Sequence, residues 1–194
     1  MVCQTMKTKY PGNAMFKNEI QHSCQPLPIA QVGEAILKQR AIEVRDFDET
    51  LSQLASQMVA SMVEAKGVGI AAPQVHSPLA LFIMASRPNE RYPDAPLMEP
   101  VVVVNPHIEL ASLQLEKGEE GCLSVPGQRF TIWRHHSIVV RYQNLAGQWQ
   151  HAELTGFIAR IFQHEFDHLQ GITLLERSQM PQQTLMAQEG NPQA

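Results

Sequence analysis

Residues 155–171 read TGFIARIFQHEFDHLQG, and this stretch decides how the chain is built. Phe157, Ile158, Ile161, Phe162 and Phe166 recur at helical spacing over a broad face, which predicts a largely buried helix beginning near Thr155. Gly171 ends it. His164 and His168 stand four residues apart, so both imidazoles leave one face of that helix and reach a single metal ion. Glu165, beside the first histidine, is then placed to act on a water bound there. The competing reading is a buried helix whose histidines are satisfied by hydrogen bonds. Its apolar surroundings make that costly, because a buried polar group needs a partner.

Upstream, residues Glu49 to Lys66 repeat Leu51, Leu54, Met58 and Met62 at spacings of three and four, which predicts a second helix. Asp48 fits its N-cap and Gly67 its C-terminal stop. Between the helices lie β-rich runs, Leu79–Ala85, Val101–Asn105, His107–Leu115, Phe130–Tyr142 and Gln148–Leu154, punctuated by Pro, Gly and Asn. The order helix, strands, helix implies an α+β fold: antiparallel or mixed β-sheets packed around a central C-terminal helix that carries HExxH. Residues 1–26 lack periodicity and read as a flexible extension, 27–177 as the catalytic domain, and 178–194 as a short, frayed polar tail.

Composition narrows the class. Of 194 residues, 44% are hydrophobic and 18% charged, enough apolar matter for one packed core. The net charge of −4 and the scattered basic residues exclude the footprint of a nucleic-acid binder. No apolar run approaches the ~18–20 residues that span a bilayer. The opening MVCQTMKTKY lacks the apolar centre of a secretory signal, and Cys3, Cys24 and Cys122 form no disulfide framework. The expectation is a cytoplasmic protein that neither enters a membrane nor binds nucleic acid directly.

A catalytic divalent site generally takes three protein ligands and leaves one position open. The pattern HExxHxxGxxH fails here, since Gly171 arrives on schedule but Leu174 stands where the third histidine would be. A later glutamate is equally unsuited: Glu176 is too close, and Glu189 lies in the tail. Cys122, in the segment EGCLS, offers a thiolate suited to iron or zinc. Its alternatives are a small buried hydrophobe or the nucleophile of a Cys–His pair. Residues 67–74, GVGIAAPQ, match G-x-G-x-x-G/A superficially, but follow a helix where a dinucleotide fingerprint follows a strand. What remains is a backbone open to close approach, ending in the amide of Gln74; a plain loop with a solvated glutamine is the alternative.

GVGIAAPQ, EGCLS and HEFDH, in this order, resemble the three signature motifs of the peptide deformylases (polypeptide deformylase family), and the similarity runs from Leu27 to Arg177. The resemblance implies a metallohydrolase that removes the formyl group from formyl-methionyl nascent peptides and releases formate. It assigns Cys122, His164 and His168 to one divalent metal: ferrous iron physiologically, with zinc, nickel or cobalt as substitutes. Glu165 becomes the proton carrier, and the Gln74 amide and Leu123 backbone N–H become oxyanion donors. Gly69 and Gly121 can let peptide backbone approach, and Val68, Phe157 and Ile161 are candidates for the methionine pocket, with ordinary core as the alternative for each of these substrate-binding residues. Glu120 and Arg134 become a supporting ion pair. Arg160, one turn before His164, either faces the pocket mouth or pairs with a carboxylate.

His76 replaces a common glycine and Trp133 a common proline, which bears on loop shape. The tail is not the long basic helix with which some relatives are associated with ribosome docking, so only transient ribosome proximity is expected, for a monomer. Two other readings remain: a peptidase cutting internal bonds, and a catalytically silent metal-binding paralogue. The presence of Glu165 and Gln74 beside all three ligands argues against the silent form.

Overall fold

A computed structural model describes residues 25–89 and 92–180. All of the expected N-terminal extension but residues 25 and 26, and most of the polar tail, lie outside the described residues. The first helix, α1 (Glu49–Glu64), begins at Asp48, whose side chain accepts from the Leu51 N–H at 3.0 Å. It stops two residues short of the expected Lys66. Leu51, Ala55, Met58, Val59 and Met62 form its buried stripe.

Seven strands follow: β1 (Gly69–Ala71), β2 (Leu81–Ser86), β3 (Met98–Ala111), β4 (Leu115–Cys122), β5 (Val125–His135), β6 (Ser137–Gln143) and β7 (Trp149–Thr155). Five make one sheet in the order β1-β2-β3-β6-β7, and β4 and β5 form a separate hairpin. Among the described residues every strand pair is antiparallel, and the one parallel contact is an isolated bridge between Ile42 and Leu79. The last elements among the described residues are α2 (Gly156–Leu169) and a short α3 (Leu174–Gln179).

Strand β2 explains the layering. All six of its residues are buried, and residues 81–85 read as an unbroken apolar run rather than an alternation, with Ser86 as the polar end. Ile83 packs towards α1 with Met58, Met62 and Val102. Phe82 and Met84 point the other way, towards α2, with Val103, Ile158 and Phe162. Successive side chains of one strand thus feed two cores on opposite faces of the sheet. The rings of Phe82 and Phe162 meet edge to face with centroids 5.0 Å apart, which seats α2 on the sheet.

Three expectations need correction. Val101–Asn105 and His107–Leu115 are not two strands, because β3 runs through both up to Ala111. The break falls at an irregularity where Asn105 takes φ 48° and its side chain bonds both backbone groups of Val44, at 2.9 and 2.8 Å. Phe130–Tyr142 is not one strand: the chain turns at His136, leaving β5 with β4 and β6 in the main sheet. Ser178 and Gln179, expected in the frayed tail, instead end the short helix α3, which Arg177 ties to α2 by donating to Asp167. The stop at Gly171 is as expected: its φ is 73°, and a Cβ there would lie 2.6 Å from the Lys38 carbonyl oxygen.

Candidate metal centre and active site

Three side chains from distant segments converge. His164 and His168 leave one face of α2 with ring centroids 5.3 Å apart. Cys122 ends β4, and its sulfur lies 3.3 Å from Nε2 of His168. Ligand atoms from Cys122, His164 and His168 all lie within 4.8 Å of one another, and no other such cluster occurs among the described residues. Two donors held tetrahedrally on one ion at ordinary metal–sulfur and metal–nitrogen lengths would sit about 3.6 Å apart. The cluster therefore fits a single divalent cation. Its chemistry fits as well. Desolvation would raise the Cys122 thiol, but His168 and His164 outweigh it and hold the thiol well below its usual range, favouring the thiolate that binds metal.

Glu120 fixes the first histidine. Its Oε2 lies 2.9 Å from Nδ1 of His164, which leaves Nε2 for a cation. Glu165 stands between the ligands on the same helix and is 3% exposed. Its carboxylate rests on Gly69, where a Cβ would come within 2.2 Å of Oε1, while Oε2 has no partner among the described residues. Burial pushes the Glu165 carboxyl up to about 7, with His164 and His168 pulling the other way.

Gln74 is 1% exposed, which overturns the solvated-loop alternative. It sits in a 3-10 turn, Ala72–Val75, with Pro73 near the start. Its Oε1 accepts from the Ala71 N–H at 2.9 Å, so the NH₂ group is turned to Ser124 Oγ at 3.0 Å and Cys122 Sγ at 3.5 Å. His76, two residues on, occupies the left-handed region at φ 63°, a conformation that explains why glycine suits this position.

A cleft of about 670 Å³, open solvent included, leads to this cluster. Val68, Gly69, Gly121, Phe157 and Ile161 all line it, as do Gln74, Leu123 and Arg160. Lys66, Tyr92 and Arg129 also line it and carry no signal in the motif reading. Tyr92 could be found only by packing: its ring lies 4.7 Å from that of Phe157, and the Arg129 guanidinium stacks 5.1 Å above it.

The sequence model of the polypeptide deformylases matches residues 26–184. The chain belongs to that family. A peptide deformylase 2 of Shewanella oneidensis is 87% identical over 181 residues, covering 93% of this chain and 100% of the relative. A peptide deformylase 2 of Nostoc is 48% identical over 164 residues, 84% of this chain and 92% of the relative. Among solved structures, the Met-Ala-Ser-bound class I type b peptide deformylase of Acinetobacter baumannii superposes with a TM-score of 0.78 at 49% identity, covering 79% of this chain and 99% of that one.

The deformylase site rests on a buried chain of charges. Glu120 takes two bonds from Arg134, Nε to Oε1 at 3.0 Å and Nη2 to Oε2 at 2.9 Å, so the expected ion pair is present. Arg134 continues to Asp167 at 2.6 Å, and Asp167 receives Arg177 through Nε at 2.8 Å and through Nη2. Arg160 reaches Glu120 Oε1 at 2.9 Å while lining the cleft, so both of its anticipated roles coincide. Burial works to raise the Glu120 carboxyl, and Arg134 and His164 override it and hold it well below the carboxylate range. Asp167 and Arg177 were not singled out from sequence, although Asp167 stands inside HEFDH itself.

Proposed function

We propose that this deformylase removes the N-formyl group from formyl-methionyl peptides with Cys122, His164 and His168 holding one divalent cation and Glu165 carrying the proton. The observation that supports this most directly is the Glu165 carboxylate, buried against Gly69 between the two histidines, with Oε2 turned to no protein group among the described residues. When bound, the cation acidifies water and polarises a carbonyl oxygen. Glu165 takes the proton released as the nucleophile attacks the formyl carbon, and returns it to the departing α-amine. The Gln74 NH₂, its orientation fixed by the Ala71 N–H, faces the oxygen that gains charge, and the Leu123 backbone N–H serves as a second donor. Phe157, Ile161 and Val68 supply apolar wall for the methionine side chain, and Gly69 and Gly121 leave room for peptide backbone.

Thiolate and imidazole donors suit iron and zinc alike; the family resemblance is what favours ferrous iron as the resident ion, with zinc, nickel or cobalt as replacements. Ligands and cleft are complete within one chain, which supports action as a monomer. Residues 27–177 contain the whole constellation, which supports their assignment as the catalytic domain. Formyl-methionyl ends arise on nascent chains, which supports a cytoplasmic enzyme working transiently near the ribosome.

The test is formate release from formyl-Met-Ala-Ser by anaerobically purified, iron-loaded protein, with Glu165→Ala alongside. The expected result is turnover by the parent and a loss of about 10²–10⁴-fold in the variant. Turnover at the parent rate by a metal-loaded Glu165→Ala protein would remove Glu165 from the proton path.

A further inference from the structure

We infer that Arg160 is a positioning residue for the metal centre: it ties β4, which ends in Cys122, to α2, which carries His164 and His168, and so fixes the spacing of the three donors. The inference rests on the ligand assignment proposed above.

Two of the three donors share a rigid helix; the third arrives on a hairpin that belongs to a different sheet. Their mutual geometry therefore depends on what fastens hairpin to helix. Several ties run from α2 to β5: Arg134 to Asp167, and Gln163 to both backbone groups of His135 at 3.0 and 2.9 Å. Glu120 on β4 is met by His164 and by Arg134 of β5, but none of these side chains grips the backbone of β4, the strand that bears the ligand. Arg160 does. Its Nη2 donates to the Glu116 carbonyl at 2.9 Å, and its Nη1 to Glu120 Oε1 at 2.9 Å and to the Ile132 carbonyl at 3.2 Å. Glu116 and Glu120 lie on β4, and Glu120 stands two residues before Cys122. The same Glu120 carboxylate holds His164 through its other oxygen, so Arg160 acts on both kinds of ligand at once.

Gly118 makes the contact possible. A Cβ at that position would lie 2.7 Å from the Arg160 Cζ and 2.8 Å from Nη2, so the guanidinium lies flat on strand backbone that only glycine leaves bare. Gly118 and Arg160 are 42 residues apart in sequence and act as one device. Adding a methyl group at 118 moves the flexible end of the arginine rather than the strand, so the fold survives while the tie is broken.

The experiment uses Co(II) as the probe, titrated into the apo form of the full chain. It reads affinity by chelator competition, thiolate-to-cobalt absorption and thermal stability. Arg160→Met and Gly118→Ala are each expected to weaken Co(II) binding about tenfold, the low end for loss of an outer partner of a metal ligand, and to alter the absorption. Arg160→Lys is expected to recover part of the affinity by keeping the charge. The double variant is expected to be no weaker than Arg160→Met alone, since both remove one tie. Parent-like Co(II) affinity and spectrum in Gly118→Ala, with only thermal stability lowered, would reduce Arg160 to a structural role and overturn the inference. That variant decides the matter even where Arg160→Met does not fold. A parent that binds no Co(II), or a Cys122→Ser variant that binds it equally well, would overturn the ligand assignment and this inference with it.

Discussion

Gly69→Ala adds one methyl group at the place where the backbone of β1 passes closest to the Glu165 carboxylate. The new Cβ would stand 2.2 Å from Oε1, 2.7 Å from Cδ and 2.9 Å from Cγ. Ordinary contact requires more than 3 Å, so the carboxyl group has to move by roughly 1 Å, and a misplacement of that size costs about 10²-fold in rate. That loss corresponds to about 2.7 kcal/mol of transition-state stabilisation. The three atoms nearest the added carbon all belong to Glu165, so cation content is expected to match the parent. Gly69 lies in a strand paired with Met84 and has no left-handed φ, so alanine fits the backbone and trims the entropy of the unfolded chain. The expected variant is folded, fully loaded and at least as resistant to urea, yet about a hundredfold poorer in kcat/KM for formyl-Met-Ala-Ser. Metal analysis, a urea melt and a formate assay on one preparation make the measurement. A loaded, folded Gly69→Ala protein with parental kcat/KM would show that the position of Glu165 does not limit the reaction.

Gln74→Ala removes the fixed amide donor and is expected to lower kcat by about 10²–10³-fold with unchanged metal content, read by steady-state kinetics beside metal analysis. Asp167→Asn leaves the buried Arg134 and Arg177 short of their shared countercharge and is expected to cost about 3–5 kcal/mol of stability, measured by urea unfolding. Gly171→Ala forces a Cβ to 2.6 Å from the Lys38 carbonyl at a left-handed φ of 73°; a loss of at least about 1 kcal/mol is expected, visible as a lower melting temperature with kcat little changed.

How much of this was legible in the sequence varies with the distance over which each feature is decided. The spacing of His164 and His168 is a local property of one helix, so the face they share could be read directly. The burial of α2 was equally open, because its apolar residues outnumber what one exposed helix would carry. Gln74 was ambiguous because its partners Ser124 and Cys122 lie 50 and 48 residues away; only folding shows that its amide is enclosed. Arg160 was ambiguous for the same reason, since Glu120 and Glu116 stand 40 and 44 residues upstream. The corner at His136 was hidden because RFTIWRHHSIVVRY is β-forming throughout and contains neither Gly nor Pro. Helix α3 was missed because six residues give too short a period to recognise, and its tie to Asp167 is tertiary.

The order of the main sheet has a consequence for life among unfolded chains. Extended peptide is a strand without a neighbour, and an open sheet edge is a template for it. The two edges here give it little to grip. At one end β1 is three residues long before the chain coils into the Ala72–Val75 turn. At the other, β7 spans seven residues, and its exposed positions include Trp149, His151 and Glu153, a ring and polar groups in place of a smooth apolar row. Short, broken and polar margins of this kind resist edge-to-edge polymerisation, so the protein can meet a crowd of extended polypeptides and engage them at the cleft rather than along its rim.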